Sequence, residues 1–232
     1  MEKAIPNIKV VIPAFNEEES IAKVIHDIPK DFVSEVVVVS NGSTDSTKIN
    51  AERAGATVLE EDSKGYGWAC LKGIDHAKSN GAEIIVFLDG DYSDYPEQMY
   101  EVVQPILENK ADLVIGSRAL GEKEQGSMTI PQVFGNWLAT RLMRVFYRIK
   151  FTDLGPFRAI TVEALDQLNM QDKTYGWTIE MKIRAAQHKL RCTEVPVNYK
   201  NRIGKSKVSG TVKGTIMAGY KIIFAIIKYK FV

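Results

Sequence analysis

The first half of the chain alternates between short apolar runs and longer segments in which apolar residues recur every three or four positions. The apolar runs indicate parallel strands buried on both faces, and the longer spacing indicates amphipathic helices. We predict strands at residues 8–12, 35–39, 57–59, 83–88 and 113–115. We predict helices at residues 17–28, 45–54, 67–78 and 97–107, with Ser43 or Thr44 as the N-cap of the second. This alternation predicts an α/β fold with a doubly wound, mostly parallel central sheet flanked by helices.

The second half of the chain has a less regular pattern. It predicts helices at residues 134–147 and 177–188, a short extended segment at 152–160 and an edge strand at 190–199. A final amphipathic helix is expected over residues 210–229, where Lys221 and Lys228 interrupt an apolar stretch.

Composition narrows the class of protein. The chain has 232 residues, 45% of them hydrophobic and 25% charged, which is enough for one sizeable core. A net charge of +1 gives no overall field that would favour nucleic acid as a partner. Cys70 and Cys192 are far apart, which predicts no disulfide framework and a reducing compartment. The first residues do not read as a signal peptide, and no uncharged stretch is long enough to span a bilayer.

Asp89 and Asp91 directly follow the apolar run at 83–88, and these two carboxylates are the most informative indication of function in the sequence. Ligands of parallel α/β sheets bind at the carboxyl ends of the strands. Two carboxylates there can hold a divalent cation, which in turn can hold a diphosphate. Gly90 between them allows a ligand to approach the backbone closely. The alternative is a solvated acidic turn.

Polar or small residues also follow the other predicted strands of the first half. These loops comprise residues 13–18, 40–45 and 64–67. Each loop alone is explained by turn and capping chemistry. Together with Asp89 and Asp91 they predict a ligand crevice along one edge of the sheet, with glycines and helix N-termini that suit phosphate or ribose.

Several segments carry a resemblance to a known family. They are residues 11–18 (VIPAFNEE), 41–45 (NGSTD), 89–91 (DGD), 116–118 (GSR), 152–160 (TDLGPFRAI) and 202–207 (RIGKSK). In this order and spacing the chain resembles family 2 glycosyltransferases of the GT-A (nucleotide-diphospho-sugar transferase) fold. It is most similar to the branch of dolichyl-phosphate mannose synthases and polyprenyl-phosphate glycosyltransferases. The resemblance implies inverting transfer of a hexose from a nucleotide sugar to a polyprenyl or dolichyl phosphate, assisted by Mg²⁺ or Mn²⁺.

The resemblance also implies roles for individual residues. Those expected to bind the nucleotide sugar are Pro13, Ala14, Asn16, Glu17, Asn41, Lys64, Gly65, Asp89 and Gly90. Asp89 and Asp91 are expected to bind the metal. Those expected in catalysis are Asp91, Arg118, Asp153, Arg158, Glu180, Arg202 and Lys207. The same resemblance divides a single domain into a nucleotide-sugar-binding half at about 1–118, an acceptor-side half at about 119–208 and a C-terminal amphipathic helix at 209–232.

Two positions depart from the family pattern. Ser40 and Asn41 stand where members commonly carry two acids. An amide both donates and accepts, which suits the edge of uracil and favours a UDP-sugar, with GDP-mannose as the alternative. Ser93 replaces a common Gln, which leaves the third metal ligand open, with Asp94 close by.

The acceptor determines whether a general base is needed. A hydroxyl acceptor requires one, for which Glu180 or Asp153 is the candidate, whereas a phosphate acceptor is already an anion. Glu180 has a structural alternative as an ion pair with Arg184 at i+4, and Arg158 has one as a structural ion-pair donor.

A polyprenyl acceptor implies a membrane surface. We expect a peripheral enzyme at the cytoplasmic face of the cell membrane, bound through the C-terminal helix and its lysines, as a homo-oligomer or with a separate membrane partner. The alternative is that this helix packs on the domain. Competing functions are a soluble glycosyltransferase with a glycan or small-molecule hydroxyl acceptor, and a non-catalytic nucleotide-sugar-binding protein. A nucleotidyltransferase is disfavoured, because its first strand would precede a Gly-rich basic loop rather than Pro13 and Ala14.

Overall fold

The computed structural model describes residues 6–174, 176–204, 219 and 222–230, and these residues build a sheet covered by helices on both faces. The strands are β1 (Ile8–Ala14), β2 (Val33–Ser40), β3 (Thr57–Glu60), β4 (Ile84–Phe87), β5 (Leu113–Ser117), β6 (Arg158–Thr161) and β7 (Cys192–Pro196). The helices are α1 (Ile21–Asp27), α2 (Thr47–Arg53), α3 (Tyr66–Ser79), α4 (Met99–Leu107), α5 (Ile130–Tyr147), α6 (Val162–Leu168) and α7 (Trp177–Gln187). A short 3₁₀ turn, Pro96–Gln98, leads into α4.

The sheet has the strand order β3-β2-β1-β4-β6-β5-β7. Strand β6 runs antiparallel to both of its neighbours, and the other pairs are parallel. The mostly parallel sheet expected from the apolar runs is therefore confirmed. The order places β1, β2 and β4 side by side, so the loops that follow these three strands meet at one edge.

Strand β1 shows how the sheet divides the core into two layers. Val11 packs with Cys70 and Ile74 of α3 on one face of the sheet. Val10 and Ile12 point to the other face, where they join the apolar side chains of α1 and α4. Every residue of β1 is buried, which is the pattern expected of a central parallel strand.

The predicted N-cap of α2 is wrong. Ser46 occupies the cap position without a side-chain hydrogen bond, and Asp45 instead accepts from the backbone of Thr47 at 3.0 Å. Ser43 and Thr44 instead form hydrogen bonds with Asn16. The Ser43 hydroxyl accepts from the backbone N–H of Asn16 at 3.1 Å, and the Thr44 N–H donates to the Asn16 side chain at 2.9 Å.

Helix α6 was not anticipated. It follows β6 directly, and the Thr161 hydroxyl caps it by accepting from the backbone N–H of Ala164 at 3.2 Å. The predicted extended segment at 152–160 is a strand only from Arg158 to Thr161. Strand β7 lies at the edge of the sheet as predicted, and both cysteines are free.

Residues 222–228 are helical and pack against α5 and α7. The Tyr147 hydroxyl donates to the carbonyl of Ile226 at 2.6 Å, and the Gln187 amide donates to the carbonyl of Tyr229 at 2.9 Å. Ala225 is buried with Ile226 in the main core. This contact favours the packed alternative for these residues, and the rest of the predicted terminal helix lies outside the described residues. Within the described ranges, no helix combines the length and apolarity needed to cross a bilayer.

One prediction compares the same substitution in two helices. A Cβ atom at Gly73 of α3 would lie 2.4 Å from Cγ1 of Val11 and 3.2 Å from Cγ2 of Val39, whereas one at Gly135 of α5 would meet nothing within 4 Å. We expect Gly73→Ala to lower the free energy of unfolding by roughly 1–2 kcal/mol, because overpacking outweighs the gain in helix propensity. Gly135→Ala should raise it by about 0.5–1 kcal/mol. Chemical denaturation of both variants checks this, and a stabilised Gly73→Ala would contradict the packing of α3 on β1.

Candidate active site

A cleft of about 280 Å³ opens at the carboxyl ends of β1, β2 and β4. Its walls are formed by Pro13, Ala14, Phe15, Glu17, Asn41, Lys64, Gly65, Tyr66, Ala69, Asp89, Gly90, Asp91 and Arg202. Most residues that the sequence assigned to the donor and the metal are therefore brought together in one place. Asn16, Arg118, Asp153, Arg158 and Glu180 do not line it.

Asp91 is held in a fixed orientation at the floor of the cleft. Its Oδ1 accepts from the backbone N–H and the hydroxyl of Ser93, at 3.0 and 2.5 Å. Its Oδ2 lies 3.1 Å from Nη1 of Arg202. The serine that replaces the expected Gln therefore supports the orientation of Asp91.

Ionisation of Asp89 is unfavourable, because this carboxyl group is buried next to the negative charge of Asp91. The Tyr66 hydroxyl donates to its Oδ1 at 3.1 Å. Burial, followed by the negative charge of Asp91, raises the pKa of Asp89 from 3.8 to about 6. A divalent cation between the two carboxylates would relieve that cost.

The donor set fits Mg²⁺ or Mn²⁺, because both prefer hard oxygen ligands. Among the described residues, no group of three or more His, Cys, Asp or Glu side chains is arranged to hold a metal. Asp89 and Asp91 would thus supply two protein ligands, and phosphate oxygens and water would complete the shell, as is usual for Mg²⁺ bound with a nucleotide.

Asp94 does not extend this metal site. Its side chain is 2% exposed, and neither carboxyl oxygen has a hydrogen-bond partner in the described part of the chain. Burial, and then the charges of Asp89 and Asp91, raise its pKa well above the usual value. Since no three carboxylates of the described residues are arranged around one point, the geometry does not assign Asp94 the third ligand position that the sequence left open.

Arg202 connects the loop after β1 with the loop after β4. Its Nη2 donates to Oε1 of Glu17 at 3.2 Å while its Nη1 pairs with Asp91. The backbone around it is tied to the same loop, through Ile203 N–H to the carbonyl of Asp91 at 3.0 Å and Lys200 N–H to the carbonyl of Ser93 at 2.9 Å. The buried Nε of Arg202 has no partner among the described residues, which leaves a donor for a phosphate oxygen.

Asn41 lines the cleft, but its amide is engaged by the protein. Its Nδ2 donates to the carbonyls of Glu61 and Ser63 at 3.0 and 2.8 Å, and its Oδ1 accepts from the backbone N–H of Gly65 at 2.8 Å. Both amide hydrogens are thereby used, so the inference of a uridine donor from this side chain is not supported. Asn41 instead shapes the loop that carries Lys64 and Gly65.

Asn16 has a similar structural position. Its side-chain oxygen accepts from the backbone of Thr44, and its own backbone adopts a left-handed conformation with φ of 55°. It joins the loops after β1 and β2 and so positions Glu17, whose backbone N–H donates to the hydroxyl of Thr47 at 2.7 Å.

The start of α3 approaches another loop so closely that it requires glycine. A Cβ at Gly65 would lie 2.2 Å from the carbonyl oxygen of Lys173, and one at Gly67 would lie 2.2 Å from that of Asp172. The backbone N–H of Trp68 donates to the same Lys173 carbonyl at 3.2 Å. This contact fixes the wall of the cleft that faces Asp89.

Sequence reasoning placed Phe15 and Tyr66 in the loops of the predicted crevice but gave neither a role, and it missed Ala69 as a lining residue. Tyr66 lies between two glycines at the start of α3, which was a signal for a ring held close to the backbone. Its ring packs edge-on against Trp177, with 6.1 Å between centroids, and this fixes the hydroxyl toward Asp89.

Arg118 and Asp153 form a buried, bidentate ion pair beside the cleft. Nε and Nη2 of Arg118 each lie 2.7 Å from an oxygen of Asp153, and the Arg118 guanidinium lies 4.9 Å from the ring centre of Tyr199. Burial alone would raise the pKa of Asp153, but the charge and hydrogen bonds of Arg118 lower it to about 2. A carboxylate held this way is a poor general base.

Glu180 and Arg158 are both fully buried, and neither lines the cleft. Glu180 accepts from the backbone N–H groups of Gln171 and Asp172 and from Nε of Arg184 at 2.8 Å. Arg158 donates to the carbonyls of Pro156 and Gly155 at 3.0 and 2.8 Å. These contacts favour the structural alternative for Glu180. Arg158 forms no ion pair among the described residues; it is bonded to backbone carbonyls, and its charge lowers the pKa of Asp89, which burial and Asp91 raise. Lys207 lies outside the described residues.

Comparison with known proteins identifies relatives over the whole chain. The sequence model of glycosyl transferase family 2 matches residues 9–168. An undecaprenyl-phosphate mannosyltransferase of Micrococcus luteus is 30% identical over 220 residues, covering 89% of each chain. A UDP-N-acetylglucosamine–dolichyl-phosphate N-acetylglucosaminyltransferase of Methanococcus voltae is 29% identical over 248 residues, covering 96% of each.

Solved structures share the fold. Glucosyl-3-phosphoglycerate synthase of Mycobacterium tuberculosis, determined with Mn²⁺, UDP and phosphoglyceric acid, superposes with a TM-score of 0.77 at 22% identity. The match covers 97% of this chain and 78% of that one. At this identity the likeness establishes the fold, and it confirms the expected GT-A architecture.

The raised pKa of Asp89 generates a stability prediction. The pKa of Asp89 is about 6 in the folded protein, against an ordinary value of 3.8. The stabilisation that protonated Asp89 contributes to the free energy of unfolding is therefore fully present below about pH 4 and is lost as the pH rises through 6. In the absence of metal we expect Asp89→Asn to raise the free energy of unfolding at pH 7 by about 1–3 kcal/mol. The gain should disappear near pH 4, where wild-type Asp89 is protonated in the folded state. Urea denaturation at both pH values measures this, and a gain that does not depend on pH would contradict the electrostatic cause.

Proposed function

The chain belongs to glycosyl transferase family 2, and from this membership and the cleft we propose an inverting, metal-dependent hexosyltransferase. The donor is a UDP-sugar and the acceptor is a polyprenyl or dolichyl phosphate presented at the cytoplasmic face of the membrane. The observation that carries the proposal is the grouping of Asp89, Asp91 and Arg202 in one cleft at the carboxyl edge of the sheet.

The cleft suits the charge that develops during glycosyl transfer. The leaving nucleoside diphosphate gains negative charge as the bond to the sugar breaks. A divalent ion held by Asp89 and Asp91 would supply Lewis-acid stabilisation of that charge. Arg202 adds a fixed cation beside Asp91, with its Nε available for a phosphate oxygen. Glu17 keeps the guanidinium in position through its 3.2 Å hydrogen bond.

The nucleoside part of the donor is proposed to occupy the same cleft. Pro13, Ala14 and Phe15 offer apolar surface for a base, and Lys64 and Gly65 also line the cleft. The preference for UDP rests on the relative from Methanococcus voltae, whose name specifies a UDP-sugar. The relative from Micrococcus luteus, named as a mannosyltransferase, keeps GDP-mannose as the alternative donor.

The acceptor is proposed from the surroundings of the two candidate bases. Asp153 is locked to Arg118 with a pKa of about 2, and Glu180 is buried with Arg184. Neither is placed to remove a proton from a hydroxyl group. A phosphate monoester attacks as an anion and needs no such base. The names of both relatives specify a polyprenyl-type phosphate, which agrees with a phosphate acceptor.

Nucleotide binding provides the first test of the donor and metal site. We expect UDP to bind tightly with Mn²⁺ and at least roughly 100-fold more weakly in Asp91→Ala, because the metal that holds the diphosphate is lost. Asp31→Ala, an exposed aspartate before β2, is the matched control and should bind like wild type. Isothermal titration of UDP and GDP, each with and without Mn²⁺, measures this. Tighter binding of GDP would replace the uridine donor with GDP-mannose, and binding of neither would contradict the proposed function.

Product analysis tests the acceptor. We expect transfer of radiolabelled hexose from the donor to a polyprenyl phosphate and none to the polyprenol of the same chain length, because the alcohol lacks the anion that attacks. The product should carry the anomeric configuration opposite to that of the donor. Transfer to the polyprenol or to a soluble glycan at a comparable rate would favour a hydroxyl acceptor instead.

A further inference from the structure

Helix α5 exposes an apolar face that the proposed chemistry does not use. Four of its residues are exposed despite being hydrophobic: Ile130 at 86%, Val133 at 51%, Phe134 at 59% and Trp137 at 56%. They recur at intervals of three and four, so they share one side of the helix. The rings of Phe134 and Trp137 lie 5.8 Å apart, and with Met128 the four residues enclose a shallow surface depression. A cluster of this kind on a protein surface marks an interaction site.

Basic residues continue the same face toward the end of the helix. Arg141 and Arg144 follow Trp137 at four and seven positions, and both are exposed. Arg148 caps the helix in a left-handed conformation and is exposed as well. Residues 130–147 contain no Asp or Glu. The face therefore combines aromatic and aliphatic side chains with unopposed positive charge.

We propose that this face of α5 binds the surface of an anionic lipid bilayer. Phe134 and Trp137 enter the boundary between headgroups and acyl chains, where aromatic side chains are favoured. Arg141, Arg144 and Arg148 contact the phosphate groups of anionic lipids. The helix lies parallel to the membrane plane. The biological purpose of this contact rests on the proposed lipid-phosphate acceptor, but the contact itself does not depend on catalysis.

The charge of the face argues for a bilayer over a second protein. A self-complementary contact between two copies would set the arginines of each helix against either the arginines or the apolar residues of the other, with no acid on either helix to pair with them. An anionic bilayer supplies negative charge at every position along the helix. Helices that lie in a membrane interface also combine apolar and aromatic residues with basic ones, although their basic residues lie on the polar face. In α5 the two kinds of residue follow one another along the same face.

The face is connected to the acceptor side of the molecule. The Asn136 amide donates to the carbonyl of Thr152 at 3.0 Å, and its oxygen accepts from the backbone N–H of Leu154 at 2.8 Å. These bonds fix α5 to the loop that carries Asp153, the partner of Arg118. A bilayer at this face would adjoin the part of the molecule that carries this loop.

The terminal segment adds to the same side of the molecule. Ile227 is 47% exposed, next to Ile226, whose carbonyl accepts from Tyr147 at the end of α5. The sequence placed membrane contact on the terminal helix alone. In the described structure α5 offers the larger apolar surface, and residues 222–230 continue it.

Vesicle sedimentation tests the proposal. We expect wild type to bind vesicles of phosphatidylglycerol and phosphatidylcholine, and to bind pure phosphatidylcholine at least about tenfold more weakly. Phe134→Gln/Trp137→Gln should lose about tenfold or more of the binding to the anionic vesicles. The matched control is Ile49→Gln/Tyr100→Gln, which removes two comparably exposed apolar side chains, at 43% and 52%, and should bind like wild type.

The charge component is measured separately. Arg141→Gln/Arg144→Gln should abolish the preference for anionic vesicles, and added salt should weaken wild type but have little effect on this variant. Lys23→Gln/Arg53→Gln, with two exposed cations in α1 and α2, is the control and should keep the preference. All these positions are exposed, and circular dichroism verifies that each variant is folded.

Two outcomes would overturn the proposal. Equal vesicle binding by wild type and Phe134→Gln/Trp137→Gln excludes α5 as the contact. Absence of vesicle binding by wild type, together with a dimer that this variant dissociates, identifies the face as an interface between copies of the chain. Titration of UDP with Mn²⁺ in lipid-free buffer separates the two hypotheses, since failure of donor binding refutes the proposed function and leaves the vesicle result unaffected.

Discussion

Two carboxylates held one residue apart at the end of a buried strand repel each other, and the surroundings of the cleft are organised around that repulsion. The pKa of Asp89 is raised, first by burial and then by the negative charge of Asp91. Asp91 is stabilised by Ser93 on one oxygen and by Arg202 on the other. The two neighbouring carboxylates stay in place because β4 and its neighbouring strands fix the backbone that precedes them. An unfavourable arrangement held by the surrounding structure is typical of a site that is completed by a ligand.

Hydrogen bonds and ion pairs between different loops hold the loops of the cleft in place. Asn16 bonds to the loop after β2, Asn41 bonds to the loop after β3, and Arg202 bonds to the loops after β1 and β4. Because each loop supplies a partner for another, the cleft wall behaves as one unit. The close approach of Gly67 to Asp172 extends this unit to the loop before α7, which also holds Glu180.

The sequence predicted the features that depend on local pattern. The strands that carry the cleft could be read from apolar runs, and the position of Asp89 and Asp91 followed because the carboxyl ends of parallel strands share an edge. The features that escaped prediction depend on partners distant in sequence. The pairing of Arg118 with Asp153 spans 35 residues, and that of Asn41 with Gly65 spans 24. A polar side chain near a site has the same appearance in the sequence whether it contacts a ligand or the backbone of a neighbouring loop. Asn41 was therefore given a nucleotide-binding role and Glu180 a catalytic one.

The contact between Arg202 and Asp91 has a consequence for the order in which ligands are bound. At the proposed metal site, Arg202 would compete with a metal ion for Oδ2 of Asp91, and an ion that binds alone would leave the guanidinium paired with Glu17. A metal ion that binds together with a nucleotide diphosphate would give Arg202 a new anionic partner. Metal and nucleotide would then be thermodynamically coupled, each raising the affinity for the other by the same factor. A single ion pair would thus let the free protein discriminate between bare cations and cations bound to a donor.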